Sequence, residues 1–126
     1  MNKFQKKIQK FSKDRDWDQF HNPKDLLLGI VEEVGEIRNI VKWEQDISKI
    51  QKTMKKHKNQ LEDDIGDIYW FLALLSNGSG IDIDRAIDKV IRKNQSRFPI
   101  KHSKSRHTNR YLGGKDGKYD KLEKIK

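Results

Sequence analysis

Apolar residues recur at steps of three and four along most of this sequence. The clearest segment has apolar residues at positions 26, 27, 30, 31, 34, 37 and 41. A later segment repeats the pattern at positions 61, 65, 68, 72 and 75. This spacing is typical of amphipathic helices, and the alternation expected of strands is almost absent. The sequence therefore predicts an all-α fold, a bundle of four to five helices.

Helix boundaries can be read from capping residues and helix breakers. Asn22-Pro23 pairs an N-cap residue with a proline suited to the first helical turn, so a helix is predicted to start there. The run Asn77-Gly78-Ser79-Gly80 ends the segment that starts at Leu61, and Phe98-Pro99 ends the last one. Residues 44–59 are rich in lysine and thinly apolar, so they form either a weaker helical continuation or a loop followed by a short helix.

Composition limits what one copy of the chain can bury. Of the 126 residues, 33% are hydrophobic and 37% are charged, so we expect a small core that is completed by oligomerisation, as a homodimer or homotetramer. Cysteine is absent, which excludes disulfides, thiolate zinc sites and a cysteine nucleophile. The longest apolar run, residues 68–75, is too short to cross a membrane, and no signal-peptide block is visible. We expect a soluble, cytoplasmic protein without a membrane partner.

The positive charge is concentrated at the carboxyl end. The net charge is +9, and residues 97–126 hold ten of the 28 basic residues but only three of the 19 acids. We therefore predict a helical domain over residues 1–100 and a basic, flexible tail over residues 101–126. The tail is either a solubilising segment or one that closes over an anionic ligand.

Four carboxylates on the two most clearly predicted helices indicate what chemistry the protein performs. On an ideal helix, Glu33 falls inside the apolar arc of its segment and Glu36 at the margin of that arc. Asp64 and Asp67 share one flank of the later helix. If the two helices pack antiparallel, four negative charges meet at one place, where hard divalent cations would neutralise them. Oxygen ligands alone favour Mg²⁺, with Mn²⁺ as the alternative, and such metals work on phosphates.

These residues carry a resemblance to a known family. The segment Arg15-Asp16-Trp17-Asp18-Gln19-Phe20-His21-Asn22-Pro23, followed by Glu33-Val34-Gly35-Glu36, resembles the MazG-like all-α nucleoside triphosphate pyrophosphohydrolases, and within them the dCTP pyrophosphatase branch most of all. The family signature is Glu-x-x-Glu, a spacer, then Glu-x-x-Asp. Asp64 stands where Glu is usual, which shortens the reach of the third ligand by one methylene.

The resemblance implies Mg²⁺-dependent hydrolysis of a nucleoside triphosphate, dCTP-like, to the monophosphate and pyrophosphate. Glu33, Glu36, Asp64 and Asp67 would then be the metal ligands and the catalytic residues. Trp17 and Trp43 are candidates for stacking on the base, because a flat indole stabilises a stacked base by roughly 1–3 kcal/mol. The alternative for each of them is packing in the core. The other predicted substrate-binding residues are His21, Phe71, Lys93, Asn94, Lys118 and Tyr119.

Two other classes of function are considered. A basic module that binds nucleic acid through the tail would lose affinity steeply with salt and need no Mg²⁺, but no interleaving of aromatic and basic residues supports it. A helical bundle that binds nucleotides without turnover is the second alternative, suggested by the aspartate at position 64.

Overall fold

The structure, a computed structural model, describes residues 1–105. These residues form six α-helices and one 3₁₀ turn, and no strand occurs among them. In chain order the elements are α1 (Lys3–Asp14), the 3₁₀ turn (Asp18–Phe20), α2 (Pro23–Val41), α3 (Ile47–Lys56), α4 (Lys58–Gly78), α5 (Ile83–Arg97) and α6 (Ile100–Ser103). The all-α prediction is confirmed. The lysine-rich stretch is a loop followed by a short helix, which settles the alternative that the sequence left open.

Side chains cap the first three helices as their sequences favour. The side chain of Asn22 accepts a hydrogen bond from the backbone N–H of Asp25 at 2.9 Å, and Pro23 occupies the first helical position of α2. The side chain of Asn2 accepts from the N–H of Gln5 at 2.7 Å at the start of α1. Asp46 caps α3 by accepting from the N–H of Ser48 at 3.0 Å. Each bond satisfies a backbone donor that the first turn of a helix leaves unpaired.

The chain divides into two compact units, of which the first is Met1–Ile83. Within it α4 is central, because it contacts α1, α2 and α3. This position explains why α4 carries apolar residues on several faces. The buried apolar residues of the first unit are Ile8, Leu26, Ala73 and Leu74, and half-buried aromatic residues of α4 pack around them.

Helices α2 and α4 run antiparallel, and three pairs of neighbours show their register. Glu33 and Asp67 belong to one carboxylate cluster. One helical turn earlier in α2, Gly29 faces the ring of Phe71, one turn later in α4. Leu26 and Leu74 then share the buried core. Each step back along α2 is therefore matched by a step forward along α4. This antiparallel packing is the arrangement that brings carboxylates of the two helices together.

The second unit begins at Asp84 and, as far as residue 105, contains most of α5 and the short helix α6. On α5 an exposed ion pair joins Arg92 to Asp88 at 3.1 Å. Ile87, Val90 and Ile91 are about half exposed on the same helix. None of the helices described is long and apolar enough to span a membrane. The predicted binding residues Lys118 and Tyr119, and most of the predicted tail, lie outside the described residues.

Candidate active site

Three carboxylates meet where α2 and α4 pack. Oxygen atoms of Glu33, Asp64 and Asp67 all lie within 4.8 Å of one another. The i, i+3 spacing of Asp64 and Asp67 places both on one flank of α4, and the antiparallel register brings that flank to Glu33. Although Asp64 has one methylene less than the glutamate expected by resemblance, its carboxylate lies within the cluster. Three of the four predicted metal ligands are thus brought together.

The cluster is buried on one side and open on the other. Asp64 is 5% exposed, Glu33 is half-buried and Asp67 is exposed. The buried atoms Asp64 Oδ2 and Glu33 Oε2 have no hydrogen-bond partner among the described residues. A buried carboxylate oxygen without a donor is costly, because it has lost water and gained nothing in return. The site therefore has the properties of one that needs a cation.

The pKa of Glu33 is also affected by burial and by the neighbouring carboxylates. Desolvation raises the pKa of this carboxyl above its ordinary value, and the charges of Glu36, Asp67 and Asp64 raise it further, as does a hydrogen bond with the side chain of Glu36. Glu36, the fourth predicted ligand, is exposed and lies next to the three-carboxylate cluster rather than within it. Like charges at short range disfavour joint ionisation, and a bound cation would remove that repulsion.

The donor set fits a hard divalent cation. All candidate ligand atoms are carboxylate oxygens, which are the ligands that Mg²⁺ and Mn²⁺ prefer, and the exposed side of the cluster leaves room for water and phosphate. The unpartnered oxygens of Asp64 and Glu33 are the observation that supports this fit. The residues that would hold the ion are Glu33, Asp64 and Asp67, with Glu36 beside them.

A polar pocket lies farther along the same face of α4. It has a volume of about 200 Å³ and is lined by Gln9, Asp18, His21, Leu74, Asn77 and Gly78. Residues 67, 74 and 78 follow one face of a helix, and a rise of 1.5 Å per residue places Leu74 roughly 10 Å along the axis from Asp67. Nδ1 of His21 is buried and has no hydrogen-bond partner among the described residues. The pocket and the carboxylates are therefore spaced like two ends of one extended ligand.

Phe71 lies between the pocket and the carboxylates along α4. A Cβ built on Gly29 would come within 2.8 Å of the Phe71 ring, so the glycine is what lets the ring approach α2. The sequence placed Phe71 on the acid flank, and its contact with Gly29 agrees with that placement. Its predicted role against the nucleoside stays a prediction.

The two predicted stacking residues lie at different ends of α2. Trp17 is 42% exposed before α2 begins and makes edge contacts with Phe11 and His21, with ring centroids 5.5 and 6.4 Å apart. Trp43 is 83% exposed after α2 ends, with Lys42 Nζ 5.0 Å from its ring centroid. A helix of 19 residues is about 28 Å long, so Trp17 and Trp43 of one chain do not reach the same base.

The remaining predicted residues lie elsewhere. Lys93 and Asn94 are exposed on α5, in the second unit. Sequence reasoning did not single out Gln9, Asp18 or Asn77 as pocket residues. Helical periodicity could have indicated part of the pocket, because positions 74 and 78 follow Asp67 on the same face of α4. The contribution of α1 depends on tertiary packing, which no local pattern reveals.

Known proteins share much of this sequence. The MazG nucleotide pyrophosphohydrolase domain matches residues 21–102. Over 91 residues the chain is 33% identical to dCTP pyrophosphatase 1 of Rattus norvegicus, covering 71% of this chain and 54% of that protein. Over 96 residues it is 30% identical to dCTP pyrophosphatase 1 of Homo sapiens, covering 75% of this chain and 56% of that protein. The chain therefore spans little more than half the length of these relatives.

A solved structure also shares the fold. A pyrophosphatase from Archaeoglobus fulgidus DSM 4304 superposes with a TM-score of 0.66 at 26% sequence identity, covering 73% of this chain and 85% of that chain. The domain match includes the helices that carry all three clustered carboxylates. This chain belongs to the MazG nucleotide pyrophosphohydrolase domain family.

Proposed function

We propose that this protein hydrolyses a nucleoside triphosphate to the monophosphate and pyrophosphate with the help of Mg²⁺. The observation that carries the proposal is the cluster of Glu33, Asp64 and Asp67, in which a buried aspartate oxygen has no hydrogen-bond partner among the described residues. Membership of the family and the names of the relatives support the same reaction. Mn²⁺ is the alternative ion.

Each part of the site has a role in this proposal. The carboxylates of Glu33, Asp64 and Asp67 would hold the cation, with Glu36 beside them. A bound divalent ion would supply neutralisation of phosphate charge and a lowered pKa for bound water. The chain's own task is to align the triphosphate for in-line displacement of pyrophosphate, so that positioning supplies much of the rate enhancement.

The base of the nucleotide belongs in the polar pocket beside Phe71. With about 200 Å³ the pocket suits one small aromatic ring, and its wall combines amides, an acceptor-only carboxylate and a half-buried histidine. Asp18 would accept a hydrogen bond from an exocyclic amine. This favours cytosine over uracil and thymine, so we propose dCTP as the preferred substrate, in line with the curated relatives.

We propose that two or four copies of the chain assemble. Only four apolar residues are buried in the first unit, while Leu27, Leu28, Val31 and Val34 form an exposed apolar stripe on α2, each at least half exposed. Exposed apolar patches of this kind mark association sites. Because Trp43 lies beyond the far end of α2, it would reach a base only in the site of a second copy.

We assign the basic segment 101–126 and α5 a role in binding the substrate. Arg and Lys side chains of the tail, with Lys93, Asn94, Lys118 and Tyr119, would bind phosphates or sugar and neutralise the pyrophosphate as it leaves. A nucleotide-pool enzyme of this kind acts in the cytoplasm, which is where we place the protein.

The first experiment incubates the protein with each common NTP and dNTP and Mg²⁺, and follows release of monophosphate and pyrophosphate. The variant Glu33→Gln removes one clustered carboxylate, and its neighbour Glu32→Gln is the matched control, because Glu32 is exposed and outside the cluster. We expect activity in the wild type and in Glu32→Gln, and a loss of at least roughly a hundredfold in Glu33→Gln. Binding of Mg²⁺ with no turnover of any nucleotide would instead support a bundle that binds without catalysing.

A further inference from the structure

One side chain of α1 is entirely buried although it is polar. Gln5 is 0% exposed, and its amide lies against the end of α4 and the segment that follows it. Its Nε2 donates to Asn77 Oδ1 at 3.1 Å and to the carbonyl oxygen of Ile81 at 2.8 Å. Its Oε1 accepts from the backbone N–H of Ile83 at 2.9 Å. The amide therefore has a partner for each hydrogen on nitrogen and for its oxygen.

This network determines which way the amide of Asn77 points. The N–H of Ile83 can only donate, so it must face the oxygen of Gln5, and the nitrogen of Gln5 must then face Asn77. Asn77 consequently presents Oδ1 to Gln5, and its Nδ2 donates to the backbone carbonyl of Gln5 at 3.1 Å. Backbone groups at both ends thus fix the two amides, and neither can exchange its donor for its acceptor without breaking hydrogen bonds.

Asn77 also lines the polar pocket, together with Asp18 and His21. Nδ2 carries two hydrogens and uses one for the carbonyl of Gln5, and the second has no acceptor among the described residues. Because the amide is held in place, Asn77 offers the pocket a hydrogen-bond donor with a set orientation. Gln9 also lines the pocket and has no such hydrogen-bonded anchor among the described residues, so it can adapt to either kind of partner.

We infer that Gln5 holds Asn77 as a fixed hydrogen-bond donor to the base, and that this pair determines which pyrimidine nucleotide the site accepts. The inference rests on the proposed function. Cytosine presents an acceptor at N3, where uracil and thymine present N–H. A fixed donor therefore accepts cytosine and rejects the other two, since two donors that face each other in a pocket are both left unpaired. In this pair Asn77 is a binding residue and Gln5 is a positioning residue.

The kinetic test compares kcat/KM for dCTP and dTTP in the wild type and in Asn77→Ala, with Asn59→Ala as the matched control. Asn59 lies on the same helix, is exposed and contributes nothing to the pocket. We expect the ratio of dCTP to dTTP to fall roughly tenfold in Asn77→Ala, the size of one lost neutral hydrogen bond. The change should lie in KM for dCTP, with kcat at saturation nearly unchanged. An unaltered ratio would overturn the inference.

The positioning role of Gln5 needs its own variant. Gln5→Met keeps a side chain of similar length and removes the donor to Asn77, so the amide of Asn77 becomes free to turn. We expect the dCTP preference to fall in the direction of Asn77→Ala. A purely structural role would instead lower kcat for both nucleotides in parallel and leave the ratio intact, and that result would overturn the role of Gln5.

A measurement on the unaltered protein covers the case in which either variant fails to fold. The Asn77 side-chain amide is followed by NMR while dCMP or dTMP is added without metal. We expect dCMP to shift the Asn77 Nδ2 resonances and dTMP to shift them much less. Saturation by dCMP with an unmoved Asn77 amide would overturn the inference. If no triphosphate is hydrolysed, the proposed function fails. This titration would still show whether Asn77, held by Gln5, contacts the base.

Discussion

The ring of Phe71 occupies the space that a side chain at Gly29 would need. A Cβ on Gly29 would lie 2.8 Å from Cζ of the ring, closer than van der Waals contact allows. Because Phe71 lies between the carboxylates and the polar pocket, this contact ties the packing of α2 against α4 to the distance between the two parts of the site.

Gly29→Ala should therefore destabilise the protein and lower its activity. Overpacking of this kind costs about 1–3 kcal/mol, because the ring or the helix must move. On the same helix, Gly35→Ala is the control, since a Cβ there meets no atom within 4 Å. A helical glycine replaced by alanine without a clash should gain about 0.5–1 kcal/mol. Thermal unfolding of both variants checks the prediction, and equal shifts in Tm would contradict it.

The raised pKa of Glu33 leads to a prediction about stability. A carboxyl whose pKa is higher in the folded protein than in the unfolded chain is ionised at a cost when folded. The stability that the protonated carboxyl contributes is thus fully present below its ordinary pKa of 4.5. It is lost as the pH rises through the higher pKa of the folded protein. Without metal, Glu33→Gln should have a higher Tm than the wild type at pH 7, and the difference should vanish near pH 4.

Addition of Mg²⁺ should reverse this order at pH 7. The ion stabilises only the protein that binds it, so the Tm of the wild type rises and that of Glu33→Gln does not. Melting curves in EDTA and in Mg²⁺ measure both effects. A Glu33→Gln variant that is less stable than the wild type in EDTA at pH 7 would show that Glu33 has a stabilising partner in the folded protein.

The exposed stripe on α2 predicts an oligomer that one charge can disrupt. Val31 is 66% exposed and lies amid Leu27, Leu28 and Val34. Val31→Glu should convert the assembly to monomers, because a buried, unpaired charge at an interface is strongly unfavourable. Gln51→Glu adds the same charge at an exposed position on another helix, α3. Light scattering after size exclusion measures the mass, and an unchanged mass for Val31→Glu would place the interface elsewhere.

A mixing experiment tests whether Trp43 serves the site of a second copy. Trp43→Ala and Glu33→Gln should each be impaired alone, because one would lack the proposed stacking residue and the other a proposed metal ligand. When the two are refolded together, a mixed dimer contains one site with neither defect. We expect activity above that of either variant, up to about half the wild-type value per mixed dimer when each copy contributes independently. No gain on mixing, with mixed dimers verified by mass, would assign Trp43 to its own chain.

The fold and the carboxylates could be predicted because both follow from local periodicity. Glu33 lies inside an apolar arc, Asp64 and Asp67 share a flank, and helical geometry alone places them. The polar pocket could not be predicted in the same way. Asn77 is oriented by Gln5, 72 residues earlier in the chain, and that contact exists only once α1 packs on α4. The stacking role of Trp17 and Trp43 stays a prediction, and their placement at opposite ends of α2 emerges only from the structure.

A ³¹P NMR spectrum of dCTP incubated with the protein, recorded with Mg²⁺ and again with excess EDTA, would identify the reaction products. We expect dCMP and pyrophosphate in equal amounts with Mg²⁺ and intact dCTP in EDTA. Release of dCDP and inorganic phosphate, or the same products in EDTA as in Mg²⁺, would contradict this expectation, because the carboxylate cluster would then not be holding the ion that directs attack at the α-phosphorus.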